Sequence, residues 1–232
     1  MQLIKKKLIE EYLVDDDINL FMDKISQGND EELTCQRWLH QNIPKRFLFK
    51  LLYNDLLKLN APCQRVLDVG GGITCFTREL AKFHKYDLVD LLSHDNELIC
   101  KKMCLDVGRD FIYPVDWLSF DGEDYDLIIA NDLFPNVDQR LEIFLDHFLP
   151  KCKAMRLSLT WYDSPRTYKV RSFDSEAIFF MLAWNLKQLM NILERYSDNI
   201  VDYDSECFKT EQKSLYTNGR QVGVIELKGA IK

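Results

Sequence analysis

The spacing of apolar positions changes character near residue 60. Before it, Leu3, Ile4, Leu8, Tyr12 and Leu13 recur at helical spacing, and a second amphipathic stretch runs from about Pro44 to Leu59. Pro44 suits the first turn of that second helix, where a fixed φ and a missing N–H cost nothing. Gln27, Gly28, Asn29 and Asp30 predict a turn between helices. After Ala61 and Pro62, short apolar runs alternate with helical stretches. Strands are predicted over 65–69, 86–91, 111–115, 125–130 and about 154–161, with helices over 76–83, about 96–107 and 138–148. Such alternation is the mark of a parallel sheet covered on both faces. The tail departs from it. A long helix is predicted from Ser175 to about Tyr196, then strand-like segments at Lys213–Thr217 and Gln221–Leu227 flank Asn218-Gly219, a strong hairpin signal. The chain therefore reads as an α/β three-layer sandwich whose mostly parallel sheet ends in an antiparallel hairpin. Residues 1–60 are expected to form an N-terminal helical lid or extension, and 61–232 the sheet domain.

Composition narrows the class. At 232 residues with 47% hydrophobic positions, the chain can bury a full core. A net charge of −7 argues against a duplex nucleic-acid partner, whose phosphates call for a basic stripe. No apolar run reaches bilayer-spanning length, and the acidic Glu10, Glu11 and Asp15 to Asp17 leave no signal-peptide core after the basic start. The expectation is a cytoplasmic protein. Cys35, Cys63, Cys75, Cys100, Cys104, Cys152 and Cys207 form no Cys-x-x-Cys pair, which fits reduced thiols and no metal site.

The richest chemistry lies in Val66-Leu67-Asp68-Val69-Gly70-Gly71-Gly72-Ile73-Thr74. A buried strand runs straight into residues without a Cβ, so a ligand can approach the backbone, and the following helix aims its amide end at the same point. Ligands of open α/β sheets bind at such carboxyl ends, where strand order reverses. A nicotinamide-type fingerprint needs a third glycine where Cys75 stands. The segment instead reads Asp-x-Gly-x-Gly-x-Thr and resembles the first motif of class I S-adenosylmethionine (SAM)-dependent methyltransferases, with Thr74 in place of the usual third glycine and suited to cap the next helix.

That resemblance implies a seven-stranded, Rossmann-like sheet with one late antiparallel strand, and SAM as cofactor. It implies that Gly70, Gly71 and Gly72 pass beneath the methionine and ribose portions, and that Asp68 faces the amino group directly or through water. Asp90, beside Leu91 at the end of the second strand, would accept both ribose hydroxyls, since one carboxylate offers two acceptor oxygens. Asp116 would take the adenine amino group, Trp117 would line the ring pocket, and Asn131 would meet the ammonium.

The methyl acceptor is read as a small molecule such as a sugar, sugar nucleotide or other metabolite. Asn131-Asp132-Leu133-Phe134 lacks the two prolines that amino-methylating DNA enzymes of this superfamily carry there. Asp132 is a candidate to orient an acceptor hydroxyl or amine, or simply a loop cap. Tyr162 opens a polar-aromatic loop with Arg166, Tyr168, Lys169 and Arg171, three cations suited to a phosphate or carboxylate or to plain solvation. His40, in the lid, and His94, beyond Asp90, are candidate bases. Two other readings compete. Aminopropyltransferases of the spermidine synthase type share the fold and a Gly-Gly-Gly turn followed by Arg-Glu, as in Arg78-Glu79. A non-catalytic module would instead use the N-terminal helices to bind a partner.

Overall fold

The computed structural model describes residues 1–92, 97–171, 178–208, 215–216 and 218–231. The chain opens with β1 (Gln2–Leu3), α1 (Lys6–Tyr12), α2 (Asp17–Ile25), α3 (Thr34–Gln41) and α4 (Ile43–Tyr53). The alternating part follows: β2 (Arg65–Val69), α5 (Cys75–Phe83), β3 (Lys85–Val89), α6 (Glu97–Val107), β4 (Ile112–Tyr113), β5 (Tyr125–Phe134), α7 (Leu141–Phe148) and β6 (Cys152–Tyr162). It closes with β7 (Arg166–Arg171), β8 (Ile178–Ala183), α8 (Leu186–Leu193) and β9 (Arg220–Lys228).

Seven strands form one sheet in the order β1-β9-β6-β5-β2-β3-β4. The pairings β6–β5–β2–β3–β4 are parallel, and β9 alone runs against them, antiparallel to both β6 and β1. Strand order reverses between β2 and β5, which creates a crevice at their carboxyl ends. One face of the sheet is covered by a cluster in which Ile18, Met22, Leu39, Phe49 and Leu52 of the N-terminal helices interleave with Val66, Phe76, Leu80 and Leu88. The other face packs Phe144, Phe148, Leu189 and Leu193 of α7 and α8 on Leu67, Ile128, Met155 and Leu157. Both faces are buried, so the central strands carry continuous apolar runs, as at Ile128, Ile129 and Ala130.

Four expectations need correction. Leu3 belongs to edge strand β1 rather than to a helix, because its backbone pairs with Gly223 of β9. The segment read as a polar-aromatic loop is strand β7, paired antiparallel with β8 in a separate two-stranded sheet. The helix expected from Ser175 instead begins at Leu186; residues 178–183 are strand, and Ser175 to Ala177 lie outside the described residues. Its apolar run, Ile178-Phe-Phe-Met-Leu-Ala183, has no period that separates a strand from a buried helix. At the Asn218-Gly219 turn, β9 is the antiparallel arm. Of the expected opposing arm, Leu215 and Tyr216 are not strand, and Lys213, Ser214 and Thr217 lie outside the described residues.

Candidate active site

A cleft of about 600 Å³ opens at the crevice, within the size range of small-molecule sites. Its floor is the glycine turn. Gly70 and Gly72 adopt φ of +68° and +69°, a region that L side chains avoid. A Cβ on Gly72 would stand 2.2 Å from Cys35 Sγ, and one on Gly71 would stand 2.3 Å from Asp68 Oδ1. The turn is therefore held from above and below. Thr74 caps α5, its backbone N–H donating to Thr77 Oγ1 at 3.0 Å.

Asp90 hangs from the end of β3 into the cleft. Its Oδ2 accepts the Gly72 N–H at 3.1 Å and its Oδ1 accepts the Leu92 N–H at 2.8 Å, which fixes the carboxylate while each oxygen keeps a second lone pair. Leu91 lines the cleft beside it and is largely exposed. Trp117 presents a ring packed against Phe134, Phe144 and Phe148, and its Nε1 donates to Asp138 at 2.7 Å. Asp116 lines the same wall but is already engaged. It caps Leu118 N–H at 2.9 Å and takes two bonds from Arg140, whose guanidinium also grips Asp138 and lies 4.5 Å over the Trp117 ring. That pairing holds the Asp116 carboxyl below its ordinary range.

Asp68 is placed differently from expectation. It is buried beneath the turn and is absent from the cleft wall. Its Oδ2 accepts Tyr53 OH at 2.9 Å and Tyr86 OH at 2.6 Å, while Oδ1 is buried without a partner. Burial outweighs the two hydroxyl bonds and pushes the carboxyl up to about 7. Asp68 thus meets the cleft only through the backbone of the glycine turn.

At the opposite end, Asn131 and Asp132 lie where the β5–β6 register shifts. Asp132 adopts φ +59° and its N–H donates to Ser158 Oγ at 2.7 Å, while the Ser158 hydroxyl donates to Asn131 Oδ1 at 2.8 Å. Lys45 donates to Asp132 Oδ2 at 3.0 Å and Arg220 pairs with Oδ1. Each Asp132 oxygen thereby meets one cation, so the carboxylate candidate for orienting an acceptor hydroxyl or amine stands in the cleft as the centre of an ion cluster.

Two other candidates are not brought to the cleft. His40 sits on the exposed side of α3, 4.0 Å from Asp23 and outside the lining residues. Tyr162 is buried at the end of β6 under Arg166, also outside the lining. Arg166 is tied to the Asn218 carbonyl at 2.7 Å, and neither it nor Lys169 lines the cleft. His94 and the side chain of Arg171 lie outside the described residues. Missed from sequence were Trp38, Lys45, Leu48 and Phe49, which line the cleft from α3 and α4. The usable signal was the i, i+4 relation of Lys45 to Phe49 on one helix face.

No protein-family model matches the sequence, and the curated proteins give no match. Solved structures do. The chain is similar over 97% of its length to 97% of magnesium protoporphyrin IX methyltransferase from Synechocystis, solved with SAM, at 13% identity and a TM-score of 0.50. It is similar over 96% of its length to 90% of 1,6-didemethyltoxoflavin-N1-methyltransferase from Burkholderia thailandensis, solved with its substrate and S-adenosylhomocysteine (SAH), at 16% identity and 0.50. DhpI in complex with SAH matches 95% of this chain and 99% of its own, at 12% identity and 0.50. The fold is that of class I SAM-dependent methyltransferases.

Proposed function

We propose that this protein is a SAM-dependent methyltransferase acting on a small-molecule acceptor. The observation that carries the reading is the anchored Asp90 carboxylate, facing a cleft whose floor is a side-chain-free turn. The residues present fit the cofactor. Gly70 to Gly72 allow its sulfonium arm to lie against the backbone, the spare lone pairs of Asp90 match a ribose diol, and Leu91, Val115 and Trp117 offer an apolar slot for a purine. Asp68 braces the turn from below, and Asn131 stands at the entrance to the methionine end. When bound, the cofactor supplies an electrophilic methyl group. The chain's part is then to align the acceptor in line with it and to exclude water.

The structures of similar fold named above include small-molecule methyltransferases, which supports the same acceptor class here. Transfer of an aminopropyl group is disfavoured by the carboxylates. A polyamine needs free acidic groups, yet Asp132 is held by Lys45 and Arg220, and Asp138 by Arg140 and Trp117. Isothermal titration with SAM is expected to give saturable 1:1 binding. Absence of heat at millimolar SAM would remove the proposal in favour of a partner-binding module. Incubation with methyl-labelled SAM and metabolite pools, read by mass spectrometry, is expected to yield a product heavier by one methylene. A propylamine increment would replace the reading by aminopropyl transfer.

A further inference from the structure

The cleft is electrically divided. Among the described residues, at the Trp117 end three carboxylates (Asp90, Asp116, Asp138) face one guanidinium, Arg140. At the other end, among the described residues, two cations, Lys45 and Arg220, surround the single carboxylate of Asp132. Asp132 neutralises only one of them. Lys45 stands on the cleft wall with its Nζ 3.0 Å from Asp132 and 5.1 Å over the Trp38 ring, so one of its three N–H bonds is used on the carboxylate and the aromatic face takes up part of the rest of the charge. Arg220 sits behind Asp132, mostly buried, its Nε without a partner. Leu48, Phe49 and Leu133 make the remaining wall apolar. A surplus positive charge in a half-buried, apolar setting is costly unless an anion completes it.

From this cluster we propose that the acceptor carries an oxyanion, a carboxylate or phosphate on an apolar body, and that Lys45 is the residue that selects it. The inference rests on the methyltransferase reading for the word acceptor, but the anion preference itself does not need the cofactor. The apolar body lies against Leu48, Phe49 and Leu133, and the oxyanion takes the unspent N–H bonds of Lys45. Asp132 and Arg220 hold that ammonium in place.

The test uses benzoate, phenyl phosphate and the uncharged isostere benzamide, titrated into the full chain with and without SAH and followed by tryptophan fluorescence. Benzoate or phenyl phosphate is expected to bind at least tenfold more tightly than benzamide, and the tighter of the two names the oxyanion. Lys45→Gln is expected to abolish the preference, while Lys45→Arg retains most of it. Thermal melting reports whether each variant is folded. Equal binding of benzamide, no binding of either anion, or a preference that survives in folded Lys45→Gln each overturns the proposal. If SAH fails to bind while the anion preference stands, the methyltransferase reading falls and the anion site remains. If SAH binds and the preference is absent, the reverse holds.

Discussion

At the scale of single residues, the site makes three sharp demands. Asp90 is fixed by two backbone N–H groups, so Asp90→Ala leaves any ribose hydroxyls without their partner. Calorimetry is expected to show SAM affinity reduced by ~1–3 kcal/mol, and an unchanged affinity would move the ribose contact elsewhere. Gly72→Val combines a disallowed φ of +69° with a clash at Cys35, and it is expected to abolish binding while circular dichroism stays close to wild type. Asp68 adds a pH signature. Its folded-state carboxyl is raised from 3.8 to about 7, so its contribution to stability is present below 3.8 and is lost as pH rises towards 7. The whole effect is at most ~4 kcal/mol. Asp68→Asn removes the slope, so the melting temperature of the variant relative to wild type is expected to be more favourable at pH 8 than at pH 5. Parallel melting curves across that range would show that the carboxyl titrates normally.

Elements carry a different kind of constraint. The 3-10 turn at Gly28–Glu32 is bolted to α5 by Asp30 and Arg78, whose guanidinium donates at 2.6 and 3.0 Å with both side chains buried. Removing one partner strands the other's charge, so Asp30→Ala is expected to cost about 3–5 kcal/mol in urea unfolding, and a loss below 1 kcal/mol would show the pair to be dispensable. This scale also separates what sequence could reveal from what it could not. The glycine turn and Asp90 were legible because a strand end, a helix start and their chemistry are local in the chain. The cation cluster was not, since Lys45 and Arg220 reach Asp132 across 87 and 88 positions. His40 was misplaced for a related reason: helical periodicity identified α3 but not which of its faces meets the cleft. Arg78, read only as part of an Arg-Glu pair after the turn, proved to be a buried structural ion.

For the molecule as a whole, the N-terminal helices share a hydrophobic cluster with β2, β3 and α5. A chain lacking residues 1–60 would expose Val66, Phe76 and Leu88 to water, and it is expected to lose cooperative unfolding rather than yield a stable sheet domain. The overall charge of −7 makes a second global expectation: fluorescence anisotropy with duplex DNA at 150 mM salt should show no binding, and micromolar affinity would reopen the acceptor question. One helix ties these scales together. On the same face of α4, Lys45, Leu48 and Phe49 line the cleft, and Tyr53, about one turn beyond Phe49, holds Asp68 under the glycine turn. A helix that carries contacts of both half-sites is a path along which binding at one can be felt at the other. Whatever factor an acceptor-site ligand imposes on the affinity for SAM, SAM must impose on that ligand in return, and Tyr53→Phe is expected to bring that factor closer to one in both titrations alike.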